Sequence, residues 1–323
     1  MKPIASLSLD LDNKWSYMKT HGDDGWEEYP TYLDIAVPRI LDFLKKRDLT
    51  ITFFIVGQDA ALEKNFTAIK AIADAGHEIG NHSFNHEPWL HLYSFDKLDE
   101  ELAKSEEAIE SVTGKKPIGF RGPGFSLSEN TLRVLSQRGY KYDATVFPNV
   151  LNPLARAYMF STSNLSPEQK EQRKALFGTL DDALRPIKAY KWNLDDNDLI
   201  EIPVTTMPVF KIPIHLSYVL FLSRYSSVLA MLYFRFSLLM CKLTRTSPSV
   251  LLHPLDFLGI DDAKELQFFP GMNLSVDKKI HIVSKVLKLM ADNYTVTTME
   301  EHAKHVAKIN NLSVCKPKFR SVT

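Results

Sequence analysis

Short apolar runs recur along this chain, and most are followed by a stretch with helical spacing. "IASLSLDLD" leads toward a segment, Ile35 to Lys46, whose Ile35, Ile40, Leu41 and Leu44 share one side. "LTITFFIVG" is followed by "FTAIKAIADAG", "HEIGNHS" by Leu98 to Val112, and "PIGFRGP" by "SENTLRVLSQRG", after which "YKYDATVF" starts the next strand. "LIEIPV", "SVLLHPLDF" and "NYTVTTM" extend the series. Strands alternating with helices must run parallel, because each helix carries the chain back to the start of the next strand. The strand count approaches a closed barrel, whose chemistry sits at the carboxyl ends of its strands. Asp10, Asp12, His82, Arg121, Asp143 and His253 all fall at such ends.

The first strand closes on two carboxylates, Asp10 and Asp12, in "SLDLDNKW". Residues two apart on a strand point the same way, so the pair repels unless a cation or a proton lies between. "GNHSFNHEP" supplies His82 and His86, and on a helical turn that spacing puts both imidazoles on one face. Two capped surface histidines would read the same way. With Asp12 they make a facial set of two nitrogens and one oxygen that suits a hydrolytic divalent metal. Asp12 ligates and Asp10 stays free as a base.

The bulk composition removes other readings. Lys plus Arg and Asp plus Glu number 39 each, so net charge gives no reason to expect nucleic acid as a partner. Two cysteines, Cys241 and Cys315, make neither a disulfide framework nor a thiolate metal site. "MKPIASLSLDLD" reads as a first strand rather than a signal peptide, so the expected location is cytoplasmic, and a visit to the inner face of a membrane rests only on the 211–245 segment described below. No uncharged apolar run reaches the roughly 18–20 residues of a spanning helix.

Three more residues are weak singly. His253 in "LLHPLDF" could be structural, Arg121 in "FRGPGF" a surface arginine, and Asp143 in "YDATVFP" a turn former. In their order along the chain, however, the motifs resemble those of the polysaccharide deacetylases, the NodB-homology group. "SLDLDN" is similar to the family's first motif, "HSFNH" to its H-[ST]-x-x-H, "RGPGF" to R-x-P-Y-G with Gly124 in the tyrosine position, "YDATVFP" to the fourth and "VLLHP" to the fifth. They span residues 8 to 254. The first motif departs from the usual adjacent aspartates, D-x-D replacing D-D. The literal D-D-G at Asp23 and Asp24 follows no strand and reads as a loop beside a rim of Gly22, Gly25 and Trp26.

The resemblance implies an α/β fold, a deformed (β/α) barrel of about seven parallel strands filling residues 1–323 as one domain. It implies a deacetylase acting on an acylated sugar, with one divalent metal on Asp12, His82 and His86. Zinc is expected first, and Co2+, Ni2+ or Fe2+ suit the same donors. Asp10 matches the base, held by Arg121, and His253 the acid, with Asp143 orienting it. A backbone N–H near Asn13 or Phe125 would face the oxyanion. Two rivals are an allantoinase-like amidohydrolase and a non-catalytic carbohydrate-binding barrel. Trp15, Tyr17, Trp26 and Trp89 near the mouth favour sugars.

Two segments break the alternation. Asn149 to Asn197 lacks strong periodicity and reads as an irregular excursion. Ile202 to Leu255 contains Lys211, Arg224, Arg235, Lys242 and Arg245 but no acid. Its apolar helical part, about 211–245, is either a barrel helix with snorkelling arginines or a helix lying in a membrane interface. Arg224 and Arg235, eleven apart, would share one polar edge of such a helix.

Overall fold

The computed structural model describes residues 2–174, 176–177, 180–194 and 199–319. Its strands are β1 (Ile4–Asp10), β2 (Thr52–Ile55), β3 (Glu78–Asn81), β4 (Gly119–Phe120), β5 (Tyr142–Asp143), β6 (Tyr190–Trp192), β7 (Leu199–Glu201), β8 (Ser249–Leu252), β9 (Thr295–Thr297) and β10 (Val314–Cys315). They form one curled sheet in the order β10-β6-β7-β5-β4-β3-β2-β1-β8, with β9 also on β1. Every pairing is parallel except β6 with β7.

The ring nearly closes. Beyond β7 the chain bonds to β5 through Ile202 N on Asp143 O, then reaches β8 through Thr205 N on Ser249 O at 2.9 Å. The Thr205 hydroxyl accepts in return from Ser249 N at 2.8 Å. This joins β1, β2, β3, β4, β5, β7 and β8 into a deformed barrel of seven parallel strands, with β6 and β10 outside.

Alternation along β1 explains the layering. Ala5, Leu7 and Leu9 join the large apolar cluster under the helices, while Ser6, Ser8 and Asp10 are buried on the other face. That inner face is polar at both ends of the strand. Ser8 Oγ accepts from Arg121 Nη1 at 2.8 Å, and Ser6 Oγ bonds His302 Nδ1 at 2.8 Å on the Met299–Ala307 helix. Between them Phe54 and Tyr142 join a second cluster with Ile200, Ile202 and Met299. Gly119 is what lets Tyr142 lie there, since a Cβ at that position would overlap the tyrosine ring.

Two expectations are corrected here. The 149–197 excursion contains regular pieces, helices Asn152–Thr162, Pro167–Gln172 and Leu180–Leu184 and then β6; residues 195–197 lie outside the described residues. Ser166 opens the second helix with a reciprocal capping box. The second and third helices are six and five residues long, and the first leaves Leu154 and Tyr158 exposed, so little period emerges. The 211–245 segment is not one helix but two, Leu216–Ser223 and Ser227–Leu243. Ser226 caps the second through Leu229 N at 3.3 Å, so Arg224 and Arg235 lie across a break and share no single edge.

Candidate active site

Asp10 ends β1, and Leu11 N extends the ladder onto Phe54 O at 2.9 Å, which leaves Asp12 one step beyond on the same side as Asp10. The two carboxylates then take different partners. Asp10 Oδ1 accepts from Arg121 Nη1 at 2.7 Å, a pair with both side chains buried. Arg121 is gripped further by Ala144 O, on Nε at 2.9 Å, and its carbon lies 4.4 Å from the Phe54 ring centre. Its other terminal nitrogen has no hydrogen-bond partner among the described residues.

Asp12 faces the histidines. Its Oδ1 is 3.0 Å from His86 Nε2 and 3.3 Å from His82 Nε2, and one donor atom from each of the three buried residues lies within 4.8 Å of the others. His82 Nδ1 lies 2.6 Å from Arg121 O. A carbonyl only accepts, so that nitrogen carries the hydrogen, and Nε2 is the ring atom left to hold a cation. Burial alone would raise the Asp12 carboxyl, but the imidazoles, His86 foremost, hold it well below the usual range. Burial lowers His86, whereas Asp10 and Asp12 overcome burial at His82 and raise it. Two nitrogens and one carboxylate oxygen, all buried and convergent, fit a divalent transition metal.

The convergence does not come from a helical turn as the spacing predicts. Residues 82–86 form a bend after β3 in which Ser83 (φ 61°) and His86 (φ 52°) are left-handed. Glu101 steadies the bend by accepting from Phe84 N and Asn85 N at 3.0 and 2.6 Å.

Beneath Asp12 lies a residue the sequence reading missed. Asp59 is fully buried, and its Oδ1 accepts from Asn13 Nδ2, Trp15 Nε1 and Asn65 Nδ2 at 2.7, 3.0 and 3.0 Å. Its other oxygen has no hydrogen-bond partner among the described residues, and burial pushes the carboxyl up to about 7. Asn13 in turn caps the Lys14–His21 helix, and Tyr32 donates to Asp12 O at 2.5 Å. The available signal was "IVGQDA", an acid just past a strand end.

Across the mouth, His253 follows β8, and its ring nitrogen Nδ1 is 3.1 Å from Ser217 Oγ. Ser217 donates to Asp256 Oδ1 at 2.9 Å, and Asp256 Oδ2 accepts from His253 N at 2.8 Å. Ser217 and Asp256 thus hold the position expected of Asp143. Asp143 is buried elsewhere, accepting from Thr145 Oγ1 at 2.5 Å beside the Glu201 carboxyl. Burial and then Asp143 push the Glu201 carboxyl well up, and the two side chains meet at the β5–β7 junction. Asp143 does not touch His253 because its strand end turns it toward β7.

The aromatics also differ from expectation. Trp26, Trp15 and Trp89 lie 4.8, 5.7 and 6.0 Å from Lys19 Nζ, which is also bonded to Glu87 at 2.8 Å. They surround a cation rather than an open sugar site. Tyr17 does face the site. Its buried hydroxyl has no hydrogen-bond partner among the described residues, and burial and then Asp12 push it well up. Asp23 bonds His21 and Asn164 at 2.8 Å each, and Asp24 is exposed, so neither joins the metal set.

The polysaccharide deacetylase family model matches residues 22–142, which includes His82, His86 and Arg121. A peptidoglycan deacetylase of Helicobacter pylori is 30% identical over 199 residues, 60% of this chain and 67% of that protein. A peptidoglycan-N-acetylmuramic acid deacetylase of Bacillus subtilis is 36% identical over 129 residues; that match covers 40% of this chain and less than half of the relative, 44%. Among solved structures, a candidate polysaccharide deacetylase from Mycobacterium smegmatis has a TM-score of 0.64 at 20% identity over 98% of this chain and 96% of its own. An allantoinase has a TM-score of 0.58 at 16% identity over 94% and 90%. Two chemistries on one barrel show that the fold is shared and leave the substrate to the site.

Proposed function

This chain belongs to the polysaccharide deacetylase family, hydrolases of carbon–nitrogen bonds other than peptide bonds, and we propose that it removes an N-acetyl group from a sugar of a glycan with one divalent cation, zinc by preference. The observation that carries this reading is the division of labour between two neighbouring carboxylates, Asp12 on two imidazoles and Asp10 on Arg121. A cation held by Asp12, His82 and His86 supplies Lewis acidity at the reacting carbonyl.

The chain's own residues account for the proton transfers. Asp10 takes the proton of the attacking water, aimed by its bond to Arg121. His253 delivers a proton to the departing amine, oriented by Ser217 and Asp256. The Tyr17 hydroxyl, without a hydrogen-bond partner among the described residues, is free to bond substrate.

The test is acetate release from N-acetylglucosamine oligomers and from peptidoglycan fragments, with allantoin in the same panel. Acetate is expected from an acetylated saccharide and is lost in Asp12→Ala, which also loses bound metal by elemental analysis. Ureide hydrolysis without acetate release would make the chain an amidohydrolase of small molecules. Saccharide binding without hydrolysis would make it a binding barrel.

A further inference from the structure

The Ser227–Leu243 helix has two apolar faces, and the fold uses one. Ala230, Phe234, Leu238 and Cys241 are buried against the barrel. On the other side Val228 is 69% exposed, Leu229 66%, Leu232 54%, Phe236 47%, Leu239 49% and Leu243 70%. Tyr225, just before the helix, continues the row. At 3.6 residues per turn these positions lie within about one third of the circumference, a continuous ridge rather than scattered exposure.

The flank of the ridge is basic. A groove between this helix and the Val276–Asn293 helix runs beside it, with Arg235 on one wall and His281, Lys285 and Lys288 on the other. Lys288 pairs with Asp292 at 2.8 Å, whereas among the described residues Arg235 and Lys285 enter no ion pair. The 202–255 stretch supplies no acid to neutralise them.

We propose that this ridge docks on an anionic phospholipid bilayer, apolar row in the acyl boundary and groove cations on the headgroups. Charge complementarity selects that occupant. A second copy is the poorer fit. A two-fold pairing of the ridge sets Arg235, near its middle, against the other copy's Arg235 with no acid on either ridge. The helix lies on the surface, since no helix of the described residues is long and apolar enough to cross a membrane. The docked face is also tied to the site, because the neighbouring Leu216–Ser223 helix carries Ser217 onto His253.

The test is co-sedimentation of the full chain with phosphatidylcholine vesicles and with vesicles containing phosphatidylglycerol. Binding is expected only to the anionic vesicles, and to fall on raising salt. Arg235→Glu with Lys285→Glu should weaken it on the order of tenfold or more, and Leu232→Ser with Phe236→Ser should abolish it. All four side chains are exposed or at a groove wall, so melting temperature should hold and separate lost docking from lost folding. Absence of vesicle binding at low salt overturns the proposal. So does a dimer in sedimentation velocity that Leu232→Ser with Phe236→Ser dissociates.

Discussion

The metal side and the acid side of the mouth are built differently. Asp10, Asp12, His82 and Arg121 follow strands that are neighbours or near neighbours in one ladder, and their main partners are one another. His253 is half-buried, and its support comes from Asp256 three residues on and from Ser217 on a helix 36 residues earlier. One side is fixed by adjacent strands. The other depends on a helix that also carries the chain to an exposed surface. Spacing on the metal side is thus over-determined, and alignment of the acid is the adjustable quantity.

The sharpest way to break this comparison is Asp10→Asn. It should lower acetate release by ~10²–10⁴-fold, the scale of general base catalysis, with metal content unchanged because Asp12 does the ligating. Metal loss measured in this variant would merge the two carboxylates into one role.

Ser217→Ala and Asp256→Asn probe the acid side and should cost about tenfold, as expected for groups that orient another residue. The loss should fall mainly on kcat and be larger for an N-acetyl amide than for an O-acetyl ester, because an amine leaves poorly without a proton. Equal slowing on both substrates would assign the pair to structure alone.

The last effect is on stability rather than rate and concerns the floor of the barrel. Burial, and then His305, lowers His302 to about 4 from its ordinary 6.5. The unfolded chain takes the proton first, so this group's contribution is present above pH 6.5 and is lost as pH falls toward 4. His302→Gln should flatten that part of the stability profile, on the order of 1–3 kcal/mol, followed by melting temperature at stepped pH. A profile unchanged by the substitution would mean that another group governs acid unfolding.

Legibility in the sequence follows the same division. Strand ends announce themselves by apolar runs that stop at a polar residue, so Asp10, Asp12, His82, Arg121 and His253 could be placed at one end of a parallel barrel. The histidine spacing gave the right pair by the wrong conformation, because left-handed residues at Ser83 and His86 leave no trace in a spacing. Ser217, Asp59 and Glu201 escaped for another reason. Their importance lies in who meets them across the fold, and a serine in an apolar helix or an acid after a glycine has many ordinary readings. Asp143 was misassigned to His253 because position at a strand end does not reveal which neighbour a side chain turns toward.

The Thr205–Ser249 closure bears on the size of substrate the barrel can admit. It is a clasp of one main-chain bond and one bond to a hydroxyl. The fastened edge, β8, stays zipped to β1 over four residue pairs, from Ser6 with Ser249 to Leu9 with Leu252. Were the clasp to loosen, the 202–215 stretch would part from β8 only by also giving up the cluster shared by Val204 and Leu251, while His253 stayed with Asp10 and Asp12. Aperture and reaction distance are separate dimensions in such a cylinder: widening the gap at one joint would enlarge the mouth for the proposed saccharide, with the proposed proton donor, base and ion-binding set still in register.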